Sequence, residues 1–117
     1  MHELAVTEGI LKIALDAAAQ AGARCISPID LVIGELSGMV DGSIQFYFDI
    51  LSRDTPAAGA MLRFRREPAT ITCEACAAQV NGRPPLLPFC PVCGSARLRV
   101  AGGRELRVES IEIEEAT

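Results

Sequence analysis

The sequence predicts an α+β fold: a small mixed three-stranded sheet with two helices, plus an inserted zinc-ribbon-like module. Apolar residues recur at helical spacing twice, once before Gly22 and once after Ser43, and three short runs have the composition of strands. Two Cys-x-x-C pairs interrupt the chain before the last of these runs. We therefore expect residues 1-68 and 104-117 to form one α/β domain, and residues 69-103 to form a metal-binding domain inserted before the last strand.

The first helix is predicted to begin at the start of the chain and to end at Gly22, because glycine suits the left-handed conformation that terminates helices. Its apolar residues follow the helical repeat and make one broad face. That face comprises Leu4, Ile10, Leu11, Ala14, Leu15, Ala17 and Ala18.

Residues 25–36 are rich in β-branched side chains and predict a strand that is largely covered on both faces. Ser43 is the expected N-cap of the second helix, since Ile44, Tyr47, Phe48 and Leu51 follow it at helical spacing. A strand, a helix and a second strand in this order favour a right-handed crossover between parallel strands.

In residues 61–66, Leu62 and Phe64 alternate with arginines, as in a half-buried strand. The last strand is expected over residues 104–115. Its apolar positions change parity between Val108 and Ile111, which predicts a bulge near Glu109 and Ser110. We expect the strands on either side of the insert to run antiparallel, with the insert acting as an enlarged hairpin loop.

The two Cys-x-x-C pairs, Cys73/Cys76 and Cys90/Cys93, indicate a metal site. Four thiolates at this spacing suit one tetrahedral Zn²⁺ and leave no open position for catalysis. A rubredoxin-like iron site uses similar loops. Disulfides are a third interpretation, although the N-terminus has no signal-peptide pattern and a reducing cytosol is therefore expected.

Two further features, a turn in the insert and a fifth cysteine, are not expected to take part in metal binding. Asn81-Gly82, between the cysteine pairs, is expected to form a turn. Cys25 stands apart from the pairs and is interpreted as a simple thiol rather than a ligand.

Charge is distributed unevenly along the chain. Residues 61–107 carry eight Arg against three Glu, whereas the remainder carries three basic and twelve acidic groups. A basic zinc-ribbon module that binds nucleic acid or a transcription complex is therefore an alternative function. Arginines on solvated strand faces explain the same excess, and the bound thiolates would offset part of it.

An enzyme is not expected, and neither is a membrane span. The chain has one histidine, His2, and one lysine, Lys12, so it lacks a histidine-based triad and a phosphate-binding lysine loop. No apolar run approaches the length that crosses a bilayer. His2 is either incidental or, with the α-amine of Met1 and the backbone amides, part of a planar chelate of the kind that Ni²⁺ or Cu²⁺ prefers.

The start MHE, the segment LVIGELSG, the helix end DTPAAGA, the paired Cys-x-x-C module and the closing RELRVESIEIEE together resemble the HypA/HybF family of hydrogenase nickel-incorporation proteins. The resemblance covers essentially the whole chain. It implies a cytoplasmic nickel metallochaperone that delivers Ni²⁺ during maturation of NiFe-hydrogenase and, in some organisms, of urease. The implied partners are a HypB-type GTPase and the hydrogenase large subunit precursor, with no nucleic acid or membrane, for a monomer or homodimer.

The resemblance also implies the site residues. Ni²⁺, the cargo, is bound by the imidazole of His2 and by amine or amide nitrogens of Met1, His2 and Glu3, with Asp41 as an acidic neighbour after the Ser-Gly loop. Structural Zn²⁺ is held by Cys73, Cys76, Cys90 and Cys93. Some relatives carry a histidine in or near the zinc module, and this chain has none there.

Overall fold

The computed structural model describes residues 3–115, and within that range the chain forms two helices and six strands. The elements are α1 (Glu3–Ala21), β1 (Ala23–Gly34), α2 (Asp41–Leu51), β2 (Leu62–Glu67), β3 (Ala69–Cys73), β4 (Gln79–Gly82), β5 (Leu98–Ala101) and β6 (Leu106–Glu115). They build two three-stranded sheets, in the orders β2-β1-β6 and β4-β3-β5. The predicted α+β class is therefore confirmed. Neither helix in this range is long and apolar enough to cross a membrane.

The chain divides into two compact units. Unit 1 comprises Met1–Val32, Met39–Arg65 and Arg107–Thr117, and unit 2 comprises Ile33–Gly38 and Arg66–Leu106. Residues 33–38, which are distant in sequence from the cysteine pairs, thus belong to unit 2. They do so because the backbone N–H groups of Gly34 and Leu36 donate to the carbonyls of Glu105 and Gly103.

The core of unit 1 includes the contact between α1 and α2 and the buried apolar residues of strand β1. On α1 the buried stripe is Thr7, Ile10, Ala14 and Ala18. The predicted apolar face is too broad, since Leu4 is 42% exposed and its position lies outside this stripe. The reason is that small residues let the second helix approach closely, so the larger leucines are displaced toward the edges of the contact.

The second helix begins earlier than predicted. Its N-cap is Val40, and the Ser43 N–H already donates to the Val40 carbonyl at 3.1 Å, so Ser43 lies inside the first turn. The prediction of Ser43 as the N-cap is wrong. Val40 has no side-chain oxygen for capping, and a residue of α1 compensates, as described with the candidate site.

Strands β1 and β2 are parallel, as the strand–helix–strand pattern predicts. In unit 1 the Ile29 N–H donates to the Met61 carbonyl at 2.9 Å, and in unit 2 the Glu35 N–H donates to the Glu67 carbonyl at 2.8 Å. The sequence separation is the same in both bonds, which is the signature of parallel neighbours.

Strand β6 runs antiparallel to β1, because its partner residues descend as β1 ascends: Arg24 pairs with Glu114, and Asp30 bonds to Ser110. Strands β2 and β6 therefore run in opposite directions, as predicted. They are not neighbours, however, since β1 lies between them. The enlarged hairpin is wrong because the most apolar strand takes the central position, where both of its edges are paired and its faces are covered.

Two details of β1 and β6 follow from local packing. β1 begins and ends two residues earlier than predicted, and it ends at Gly34, where an added Cβ would lie 2.1 Å from the Gly103 carbonyl oxygen. In β6, Glu109 and Ser110 are both exposed, which confirms the change of parity, while the bulge itself stays a prediction.

Unit 2 contains an antiparallel sheet with β3 at its centre. Strand β4 pairs Gly82 with Ala69 and Asn81 with Thr70, and β5 pairs Leu98 with Cys73. The predicted turn at Asn81-Gly82 is therefore wrong, since both residues lie in β4. Gly82 has a packing role instead: an added Cβ would lie 2.8 Å from the Ile71 side chain, which would have to shift.

Candidate metal sites

The first cysteine pair lies in a turn between β3 and β4. Cys73 is the last residue of β3, and its N–H donates to the Ala78 carbonyl at 2.9 Å. Its own carbonyl accepts the Ala77 N–H at 2.9 Å. Ala77 adopts φ +64°, a left-handed conformation that is uncommon for a residue with a side chain. This tight turn carries Cys76 back toward Cys73.

The second pair repeats the same turn. The Cys90 N–H donates to the Ser95 carbonyl at 2.7 Å, and the Cys90 carbonyl accepts the Gly94 N–H at 2.8 Å. Gly94 adopts φ +77°, in the position that Ala77 occupies in the first turn. The two Cys-x-x-C segments are thus two copies of one local structure, and the second uses the residue type best suited to it.

The two turns bring all four sulfurs together. All Sγ atoms lie within 4.8 Å of one another, with Cys73 and Cys93 3.6 Å apart and Cys76 and Cys90 3.7 Å apart. Metal–sulfur bonds of about 2.3 Å in a tetrahedron place sulfurs about 3.8 Å apart, so the cluster fits a tetrahedral thiolate-bound ion. In each pair the first cysteine is buried and the second is exposed.

Backbone N–H groups prepare the first cysteine of each pair for metal binding. The pKa of the Cys73 thiol is lowered, chiefly by the Cys76 N–H. The pKa of Cys90 falls to about 6, because the N–H groups of Cys93 and Val92 point at its sulfur. The protein's own groups thus favour the thiolate form of both sulfurs, without the help of a bound ion.

In the second cysteine of each pair, the pKa of the thiol is raised instead of lowered. The Ala78 N–H favours the Cys76 thiolate, but partial desolvation of the sulfur and the three neighbouring cysteines together outweigh it and raise the Cys76 pKa to about 12. The pKa of Cys93 is also raised: the Ser95 N–H lowers it, but Cys73, desolvation and Cys90 together more than offset this. Four thiolates cannot share this space without a cation, and a divalent ion supplies the charge that lets all four ionise.

A second group of candidate residues lies in unit 1, where the N-termini of the two helices meet. The Glu3 carboxylate accepts the backbone N–H of Val40 at 2.7 Å. Asp41, the next residue, opens α2 and is half-buried. The fold therefore brings Glu3 close to the start of α2, where Asp41 lies, although these residues are far apart in sequence. Met1 and His2 lie outside the described residues.

Several arginines of the basic region have acidic partners in the folded chain. Arg63 binds Asp30 at 2.6 Å, and Arg65 binds Glu109 at 2.7 Å. The Arg63 hydrogen bond lowers the pKa of Asp30. In unit 2, Arg83 binds Glu35 at 2.6 Å. Paired charges of this kind favour solvated strand faces over a nucleic-acid surface.

The sequence analysis missed two residues of these sites. Val40 was not recognised, because no local pattern marks a valine as an N-cap. Ala77 was also overlooked, although its alignment with Gly94 in the repeated turn was a usable signal.

The chain is similar in sequence to proteins of one known family. The family model described as "Hydrogenase/urease nickel incorporation, metallochaperone, hypA" matches residues 1–113. A "Hydrogenase maturation factor HypA" of Dehalococcoides mccartyi (strain ATCC BAA-2266 / KCTC 15142 / 195) is 45% identical over 116 residues, which cover 98% of this chain and 96% of that protein. A protein of the same name from Chloroflexus aurantiacus (strain ATCC 29366 / DSM 635 / J-10-fl) is 40% identical over 112 residues, 96% of this chain and 98% of that one.

The fold is similar to that of a solved structure. The solution structure of the Ni metallochaperone HypA from Helicobacter pylori matches with a TM-score of 0.66 at 22% sequence identity. The match covers 99% of this chain and 100% of that one. At this identity the likeness concerns the fold.

Proposed function

The chain belongs to the HypA family of nickel metallochaperones that act in hydrogenase maturation, and from this premise we propose that it binds Ni²⁺ at its N-terminus and delivers it to a hydrogenase large subunit precursor. The family consists of maturation factors rather than enzymes. The observation that carries the proposal is the family match, which begins at residue 1 and so includes the MHE start. The contact between Glu3 and Val40, next to Asp41, supports it.

The proposed nickel ligands are the α-amine of Met1, the amide and imidazole of His2, and the amide of Glu3, with Asp41 as an acidic neighbour. Four nitrogens in fused chelate rings suit the square-planar geometry of Ni²⁺. Amide nitrogens must lose their protons to bind, so nickel affinity falls as the pH is lowered. Delivery then proceeds by ligand exchange, as thiolates of the receiving protein replace nitrogens one at a time.

We further propose that Cys73, Cys76, Cys90 and Cys93 hold a structural Zn²⁺, within a zinc-binding domain of residues 69-103. When bound, the ion closes the two Cys-x-x-C turns and supplies folding energy to the sheet beside them. A HypB-type GTPase is the proposed partner in delivery, urease is a second proposed target, and the cytoplasm is the proposed location. Metal analysis of the colourless purified protein should return one zinc per chain, whereas a red protein would indicate iron.

The nickel proposal is tested by titrating Ni²⁺ into the zinc-loaded, untagged protein and into the same protein with one residue added before Met1. The extension displaces the terminal amine but leaves every side chain intact. We expect the native protein to bind one Ni²⁺ and the extended protein to bind it at least tenfold more weakly.

A His2→Ala variant serves as the second arm, and Lys12→Ala, which changes an exposed side chain of α1, serves as the control. We expect His2→Ala to lose affinity and Lys12→Ala to keep it. If the extended protein and His2→Ala both titrate like the native protein, nickel binds elsewhere and the N-terminal site is wrong.

A further inference from the structure

Glu3 follows the proposed nickel-binding residues in the sequence and makes two hydrogen bonds within unit 1. Its carboxylate accepts the Val40 N–H at 2.7 Å, and its backbone carbonyl accepts the Thr7 hydroxyl at 2.6 Å. The residue is half-buried at the first position of α1. Its side chain and its carbonyl are therefore both engaged by other parts of unit 1.

The contact with Val40 supplies something that α2 lacks. In a capping box, a Glu or Gln at the third helical position accepts the N–H of the N-cap residue. That third position is Ser43, and the N-cap Val40 makes no side-chain cap bond. Glu3 thus performs from α1 the role that a local glutamate performs elsewhere, and its negative charge lies at the positive end of the α2 dipole.

We infer that the Glu3 carboxylate is a positioning group and not a nickel ligand: it tethers the start of α1 to the N-terminus of α2, so that Asp41 is the carboxylate next to the cargo. This inference rests on the proposed function, in which Glu3 contributes only its amide nitrogen to Ni²⁺. Consecutive Cα atoms are about 3.8 Å apart, so all the proposed nitrogen ligands lie within about 10 Å of the Glu3 Cα. Fixing Glu3 on α2 therefore fixes the region in which the ion can lie.

The tether is tested first without nickel, by recording the Val40 amide resonance in the zinc-loaded protein. We expect Glu3→Ala to move this amide proton upfield and to speed its exchange with solvent, because its acceptor is gone. Glu3→Gln should stay close to the native protein, since the carboxamide oxygen can accept the same N–H. Glu8→Ala, an exposed glutamate of the same helix, is the matched control and should change nothing. An unchanged Val40 amide in Glu3→Ala overturns the tether, whether or not the N-terminus binds nickel.

The second test separates a positioning group from a ligand. We expect Glu3→Ala to bind Ni²⁺ about three- to tenfold more weakly, the range that one exposed hydrogen bond supplies. Its visible absorption band should stay that of the native complex, because the four nitrogen ligands are unchanged. Glu3→Gln should bind within about twofold of the native protein. If both variants lose the same affinity and the absorption band shifts, the carboxylate is a ligand and the inference is wrong. If neither variant changes nickel binding, the tether has no role in the site.

A double-mutant cycle with Asp41→Asn tests the consequence of the tether. Asp41→Asn should weaken nickel binding in the native background and have little effect in the Glu3→Ala background, since the cargo is then no longer held beside residue 41. Additive losses would contradict the inference. Failure of the proposed function itself is recognised separately, by a His2→Ala protein that binds Ni²⁺ like the native one.

Discussion

Unit 1 and unit 2 differ in the buried side chains that stabilise each of them internally. In unit 1, Phe48, Ile44 and Leu31 are fully buried side chains of a conventional apolar core. In unit 2, by contrast, Leu87 is 55% exposed and Phe89 49% exposed. The buried groups of unit 2 are fewer: Ile33 and Ile71, the thiols of Cys73 and Cys90, and short residues at close backbone contacts. Apolar composition alone therefore does not make a core, and we expect unit 2 to depend on its four cysteines more than unit 1 depends on any polar group.

Metal removal is expected to have the largest effect and to affect the two units differently. Chelating the metal under reducing conditions should unfold β3, β4 and β5, because structural zinc typically contributes about 10–16 kcal/mol of apparent binding energy that is also folding energy. The helices and β1 should stay folded on their own apolar core. Amide hydrogen exchange, with and without chelator, measures the loss of protection in β3, β4 and β5 and its retention in the helices and β1. Continued protection of the Ile71 amide in the metal-free protein would show that the sheet supports itself.

Within unit 1, the expected effect of removing a phenylalanine depends on its position in α2. Phe48→Ala should lower the free energy of unfolding by about 3–5 kcal/mol, since the ring is fully buried and leaves a cavity. Phe46→Ala is the matched control: its ring is 61% exposed and contacts the Tyr47 ring edge-on, so its loss should cost less than about 1 kcal/mol. Denaturant unfolding followed by helix circular dichroism gives both values. Equal losses would mean that α2 does not pack as described.

Within unit 2, substitutions in the two Cys-x-x-C turns are expected to change the stability by a smaller amount. Gly94→Ala should destabilise the metal-loaded protein by about 1 kcal/mol, and Ala77→Gly should stabilise it by a similar amount, because both positions have positive φ. An added Cβ at Gly94 meets nothing within 4 Å, so the effect is one of backbone conformation alone. Thermal unfolding of the zinc-loaded variants measures it. A shift of the same sign in both variants would contradict the equivalence of the two turns.

Most elements were predictable because their signals are local. The helical repeat of α1 and the glycine after it determined the helix and its end, which the structure places at Ala21 with Gly22 at φ +64°. The alternation of Leu62 and Phe64 with arginines determined β2 in the same way. The capping of α2 and the bounds of β1 were wrong, because each depends on a contact with residues far away in the chain.

By itself, the sequence determined that four thiols would meet, that two helices would form and that the class would be α+β, since residue spacing and periodicity act over a few turns of chain. Only the tertiary structure decided that β1 would lie between β2 and β6, because strand neighbours depend on which edges can be paired and covered. Only the tertiary structure decided, too, that Glu3 would cap α2. Hydrogen bonds such as the one between Glu3 and Val40 join residues that no local pattern relates, and their partners are selected when the helices pack.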